Sequence, residues 1–413
     1  MPSVRSISLG LWIGAGSRYE NPPENGISHF IEHLLFKGGS RYGAREIAEI
    51  FDSFGGELNA ATAREYTVVH ARFLDEHLVD ALSVMSDMVL HPTFSEVDLE
   101  REVVVEEINM YEDSPGELIA DYLTKAIFDG HPLGNRVLGS LDIIAAVGLD
   151  QIKVYHASHY TLPNMVVAGA GNLEHDRLVE LATSYLALGN STGPKEASLE
   201  QVAFSAASPP DCFYVKDTQQ YHVSFGGVGV HRQDDRRFAL SILDSILGGS
   251  ASSRLFTEVR DRRGLAYSVY SYTSAFSDTG LIGIYFGCRG ESVAEITRIV
   301  VDQLQSIMSQ GITDEELIRA KESAKGKLVL GMETTHNRMS RLGKLAVTNS
   351  EILDIDEIIA RVEAVSAEDV RNLAHELYQP DKLVAVAIGP EAHLLEGARG
   401  ILGGKKELVV KAG

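Results

Sequence analysis

Hydrophobic and polar positions along the chain change period repeatedly. The opening "MPSVRSISLGLW" alternates in the two-residue rhythm of a strand, and from 27 to 37 apolar residues recur at helical spacing. "AREIAEIFDSF" reads as a second helix that stops at Gly-Gly, before a strand pair in "ELNAATAREYTVVHARF". Helices are expected near 75–90, 95–112 and 115–128, then a strand in "NMVVAGAG" and a helix in "HDRLVELATSYL".

The same order then returns. "QYHVSFGGVGV" reads as a strand, and "RRFALSILDSILGGS" as a helix ending in the Gly-Gly-Ser that also closes "FIEHLLFKGGS". "SSRLFTEVRDRRG" follows as a helix, "LAYSVYSYTSAF" and "GLIGIYFGC" as strands, and "SVAEITRIVVDQLQSIM" as a helix. "ITDEELIRAKESAKGKLVLGM" mirrors "FSEVDLEREVVVEEINM". Two internal copies of one α+β unit are therefore expected, in residues 1–190 and 211–413. A stretch at 191–210 rich in Ser, Ala, Pro and Gly is the expected linker. A chain of 413 residues is too long for a single core, in keeping with this division.

The repeat supplies an internal control. Registering the two Gly-Gly-Ser segments sets Ala239, Ile242 and Leu243 against His29, Glu32 and His33. The helix is viable with apolar residues there, so folding does not demand two histidines and a glutamate. Those two histidines are 400° apart on a helix and leave the same face one turn from each other. That is the spacing two ligands on one helix need to hold a tetrahedral metal. Glu32 sits beside them, near enough to serve a water there without ligating. A pair of satisfied structural histidines is the plain alternative, and the motif alone leaves it open.

A third ligand is needed, and "VDLEREVVVEEINMYED" offers carboxylates. Glu100 and Glu107 are two helical turns apart and share a face, whereas Glu102 and Glu106 point elsewhere. A solvated face accounts for Glu96, Asp98 and Glu102. In the second copy Glu100 and Glu107 become Ile318 and Lys325, so the half without the histidines also lacks these carboxylates. Solvation alone does not explain that joint loss. His156 and His159 have no acidic partner at a helical interval and read as structural, and His131 and His175 as loop and helix-start residues.

Composition narrows the function classes. The formal charge of −21 argues against nucleic acid and anionic membranes, which bind clustered Lys and Arg. No apolar run approaches the roughly 20 residues that span a bilayer, and no basic-then-apolar leader precedes the first strand. With only Cys212 and Cys288, neither a disulfide framework nor a cysteine metal cluster organises the chain, and a cytoplasmic location is expected. Neither cysteine sits in a Cys–His setting.

With these residues in view, the chain resembles the pitrilysin and insulinase zinc metallopeptidases, most closely the branch of the mitochondrial processing peptidase β subunit and its bacterial relatives. "HFIEH" is similar to their inverted H-x-x-E-H motif, followed by E-x6-E. "GGELNAATAREYTVVHARF", "HPLGNRVLGSLDII", "NMVVAGAGNLEH" and "SSRLFTEVRDRRGLAYSVYS" extend the resemblance over almost the whole chain. It implies one Zn2+ per chain on His29, His33 and Glu107, with Glu32 as catalytic base and Glu100 as a supporting carboxylate. Asn59 and Ala60 would bind substrate backbone along a strand edge, and Arg260 and Tyr267 the substrate carbonyl and backbone. The implied fold is a clamshell around a central cavity, each half a mixed, mainly antiparallel sheet with helices on one face.

The implied activity is a zinc endopeptidase acting on peptides or unfolded segments, and the bacterial branch implies a homodimer. Read without the resemblance, Tyr267 is a half-buried strand aromatic, and Arg260, Arg262 and Arg263 are a solvated helix end. A non-catalytic scaffold or partner subunit of the same fold is the main rival. Such subunits lose ligands or carry an extended Gly-rich loop, and "LGGSASSRLF" is short. A carboxylate-bridged di-metal protein wants paired Glu-x-x-His helices, and this chain has one such site at most. The family also carries a further strand before the match to "SVRSISLGLW", so an edge of the first sheet is expected to be missing.

Overall fold

The alternation in "SISLGLWI" is realised as strand β1 (Ser6–Ile13) in a computed structural model that describes residues 1–187, 189 and 209–412. Helices α1 (Ile27–Leu35) and α2 (Ala44–Ser53), strands β2 (Glu57–Thr62) and β3 (Thr67–Leu74), and helices α3 (Leu78–Leu90), α4 (Val97–Glu112) and α5 (Pro115–Ile127) follow. Helices α6 (Leu141–Ala146) and α7 (Leu149–His159), strand β4 (Met165–Gly171) and helix α8 (His175–Leu186) complete the first half. Of the expected linker, 191–208 lies outside the described residues.

The second half runs β5 (Asp211–Val215), β6 (Tyr221–Gly229), α9 (Arg237–Leu247), β7 (Ala266–Ala275), β8 (Gly280–Cys288), α10 (Val293–Gln310) and α11 (Asp314–Gly331). It ends with α12 (Thr335–Val347), α13 (Ile355–Ala364), α14 (Ala367–Leu377), β9 (Val384–Gly389), α15 (His393–Leu402) and β10 (Leu408–Ala412). The helix expected after α9 forms as a π-helix, Phe256–Asp261. This wider winding is rare and recurs at functional sites.

Two α+β units result, and they are not two continuous stretches of chain. The first comprises residues 1–110, 135–201 and 330–352, and the second 111–134, 202–329 and 353–413. Helix α5 from the first half thus belongs to the second unit, and α12 from the second half belongs to the first. Contiguous domains at 1–190 and 211–413 miss this exchange.

Its physical cause is legible on β1. Ile7, Leu9, Leu11 and Ile13 enter one core with α1, α2 and α3. The alternate residues face α12: Ser8 and Thr335 share a 2.9 Å hydrogen bond between hydroxyls, and Trp12 packs with Met339. The strand is buried on both faces, as near-continuous apolar strands are. In the second unit α5 likewise supplies Leu118, Ile119, Tyr122 and Leu123 to the face opposite the α9, α10 and α14 core. Helices therefore cover both faces of each sheet, not one.

The first sheet has the order β2-β3-β1-β4 with every neighbouring pair antiparallel. The second has the order β10-β5-β9-β6-β8-β7, mixed because β10, β5 and β9 run parallel. Its β7-β8-β6-β9 portion repeats the first sheet, and β5 and β10 have no counterpart there among the described residues. The equivalent strands β2 and β7 are each at one edge of their sheet, and β4 and β10 are at the other edges.

Candidate metal centre

Helix α1 starts at Gly26, whose φ of +97° suits a residue without Cβ. A buried carboxylate, Glu20, accepts from the backbone N–H groups of Gly26 (2.8 Å) and Ser28 (2.9 Å), satisfying the first free donors of the helix. Burial raises the Glu20 pKa even so. The helix thus anchored carries His29, buried, and Glu32 and His33, half-buried. The two rings meet edge to face with centroids 4.7 Å apart.

Helix α4 brings its carboxylates to the same place. Glu107 Oε2 lies 3.6 Å from His29 Nε2 and 3.2 Å from His33 Nε2. The three donor atoms available from His29, His33 and Glu107 lie within 4.8 Å of one another. Glu100, buried two turns earlier on the same helix face, meets the other nitrogen of His33, Nδ1 to Oε1 at 2.9 Å. Its second oxygen pairs with the Lys37 ammonium.

This donor set fits zinc. Ligand atoms on a tetrahedral ion with bonds of 2.0–2.1 Å stand roughly 3.4 Å apart, close to the two distances to Glu107. Without a metal, His33 lies between two carboxylates, Glu100 at Nδ1 and Glu107 at Nε2; with Glu100 holding the Nδ1 proton, Nε2 would be the nitrogen that a metal takes. The electrostatics are graded across the site. Burial and the neighbouring His33 depress the His29 pKa, favouring a neutral ring. Burial works against a charge on His33 as well, but Glu107 and Glu100 outweigh it and hold that pKa up. The hydrogen bond from His33 holds Glu107 below its ordinary value.

Glu32 stands apart from the three. Its Oε2 accepts from the Thr62 hydroxyl at 2.5 Å, at the end of β2. Burial raises its proton affinity, and the Thr62 bond and His33 offset part of that. Asn59 and Ala60 lie on β2 itself, where Asn59 Oδ1 accepts from the Ala60 N–H at 2.8 Å. Beside this edge strand opens a cavity of about 910 Å3, with Phe36, Ile47, Phe51 and Leu58 among its apolar walls and His70 and His336 among its polar ones.

In the second unit Arg260 and Tyr267 form one cluster. The Arg260 guanidinium lies 4.0 Å from the Tyr267 ring centroid and 4.8 Å from that of Phe256, and it donates to the Tyr267 carbonyl at 3.2 Å. Tyr267 is 75% exposed, so it is a surface side chain rather than a half-buried strand aromatic. Two further side chains complete these contacts, Lys37 on Glu100 and Thr62 on Glu32. Lys37 is four residues past His33, a detectable helical interval. Thr62 is 30 residues from its partner and carries no local signal.

A model of the insulinase family, peptidase family M16, matches residues 1–141, and one described as the peptidase M16 inactive domain matches 146–324. The uncharacterized zinc protease YmxG of Bacillus subtilis is 40% identical over 398 residues, 95% of each chain. The chain belongs to the insulinase family. An uncharacterized zinc protease of Streptomyces coelicolor is also 40% identical, over 94% of this chain and 86% of its own.

Solved members of this fold agree. The peptidase M16 inactive domain from Pseudomonas fluorescens superposes with a TM-score of 0.85 at 25% identity, covering 94% of both chains. A protease from Helicobacter pylori gives 0.84 at 21% identity, over 94% of this chain and 95% of its own, which shows the fold alone. Among the described residues of this insulinase-family chain, no helix is long and apolar enough to cross a membrane.

Proposed function

We propose that this chain is a zinc-dependent endopeptidase that hydrolyses peptides or unfolded segments, with His29, His33 and Glu107 holding one zinc ion. The carrying observation is the convergence of these three donors around an imidazole whose far nitrogen is clamped by Glu100. The names of the bacterial relatives, zinc proteases, support the same reading. Zinc, when bound, supplies Lewis-acid chemistry: it acidifies water and polarises a peptide carbonyl.

The residues do the rest. Glu32 accepts the proton of the attacking water and returns it to the leaving amine, a role worth about 10²–10⁴-fold in rate. Thr62 holds the Glu32 carboxylate in one orientation, and burial strengthens it as a base. The free edge of β2, around Asn59 and Ala60, receives the substrate backbone as an added strand. Arg260 and Tyr267 serve as substrate-binding donors of the second unit.

The deciding experiment measures zinc content and cleavage of an unstructured peptide together. Glu32→Gln is expected to keep stoichiometric zinc and lose cleavage, and Arg260→Ala to keep zinc and lower kcat/KM. Full cleavage by Glu32→Gln removes Glu32 from the mechanism. Wild-type protein that takes up zinc and cleaves nothing favours the scaffold reading.

A further inference from the structure

The chain enters α4 through a backbone conformation that side chains avoid. Among the described residues, the non-glycine residues with positive φ are Phe94 (+50°), Glu96 (+58°) and Asn349 (+49°). Two of these three lie immediately before α4. In the left-handed region Cβ crowds the following carbonyl, so such residues persist only where the surroundings over-determine them.

Both are held in place. Phe94 is buried in the first core and meets the His156 ring edge-on, centroids 5.3 Å apart. His156 is itself fastened through Nε2 to the Val89 carbonyl at 2.8 Å. Glu96 offers its carbonyl to the Glu100 N–H at 2.9 Å, so a left-handed residue begins the hydrogen-bond ladder of α4. Its side chain is exposed, and what matters at this position is the backbone.

The same turn is tied to the end of α1. The Thr93 N–H and hydroxyl both donate to the Gly38 carbonyl, at 3.0 and 3.1 Å. The Ser95 hydroxyl donates to the Lys37 carbonyl at 3.0 Å, and Gly39 and Pro92 form an antiparallel bridge. Lys37 and Gly38 follow His33 by four and five residues, and Glu96 precedes Glu100 by four. The second unit again provides a control. Phe94 and Glu96 correspond to Ile312 and Asp314, neither of which has positive φ, and the residue with positive φ there is a glycine, Gly311 (+79°). The half without the ligands enters its helix without straining a side-chain-bearing residue.

We infer that the turn at 93–96 is a positioning device for the metal centre, setting the register of α4 against α1. This rests on the reading of His29, His33 and Glu107 as zinc ligands. A one-residue slip would turn the α4 side chains by about 100° and shift them by about 1.5 Å. Glu107 would then leave the histidines, and Glu100 would leave His33 Nδ1.

The test is the zinc Kd of the full chain by chelator competition, with the thermal midpoint of the zinc-free protein measured in parallel. Glu96→Gly accommodates positive φ and is expected to bind zinc as wild type does. Glu96→Val is β-branched and resists this conformation; its zinc Kd is expected to rise by about 10-fold or more, as for lost supporting contacts. Ser95→Ala removes one tie to α1, is expected to weaken zinc several-fold, and decides the matter if Glu96→Val does not fold. Wild-type zinc affinity in both Glu96→Val and Ser95→Ala, with only the midpoint lowered, overturns the inference and leaves the metal reading intact. Zinc binding unaffected by His29→Ala and His33→Ala overturns both.

Discussion

The Nδ1 of His33 lies 2.9 Å from Oε1 of Glu100, while its Nε2 faces Glu107 at 3.2 Å, so under the proposed zinc reading Glu100 orients the ring. Glu100→Ala removes the acceptor and lets the ring turn or change tautomer. The expected result is zinc bound about 10–100-fold more weakly, read by chelator competition. Glu100→Gln keeps an acceptor oxygen and is expected to fall between.

Packing of α12 on β1 depends on an absent side chain. A Cβ placed on Gly343 would lie 2.0 Å from Trp12 Nε1, inside any permitted contact. Alanine would gain about 1 kcal/mol of helix propensity over glycine, whereas overpacking costs about 1–3 kcal/mol. A contact this short sets the balance, so Gly343→Ala is expected to lower the urea midpoint of unfolding.

The second unit contains a buried ion pair whose partners are unequal to losing one another. Arg399 donates to both oxygens of Asp211, at 2.5 and 2.6 Å, and to the Leu383 carbonyl at 2.7 Å. Without it, Asp211 keeps the Ala385 N–H as a donor. Arg399→Leu is expected to destabilise the unit by about 3–5 kcal/mol, because a buried carboxylate loses its counter-charge. Chemical denaturation followed by circular dichroism measures this.

Acid sensitivity has an identifiable contributor in His156. Burial, with a lesser effect of His91, pushes its pKa down to about 4, against about 6.5 when unfolded. The folded chain therefore binds fewer protons than the unfolded chain between these values. The His156 contribution is complete above pH 6.5 and is lost as pH falls towards 4, by up to about 1.4 kcal/mol per pH unit. His156→Gln is expected to flatten that part of the profile, seen as the wild-type-minus-variant difference in urea midpoint between pH 4 and 7 in the presence of a chelator.

Much of the candidate metal centre has a local signal in the chain. His29 with His33, and Glu100 with Glu107, share helix faces through the 3.6-residue period, and the apolar second copy marked them as dispensable for folding. The repeated α+β plan followed from the same periodicity. Tertiary structure decided what periodicity leaves undefined. An apolar stripe says that α5 and α12 must be covered, not that each covers the sheet of the other half. Strand order, and hence the free edge of β2, depends on pairings distant in sequence, as does the contact of Thr62 with Glu32. The left-handed Phe94 and Glu96 run against local propensity, so only the packing and hydrogen bonds around that turn could impose them.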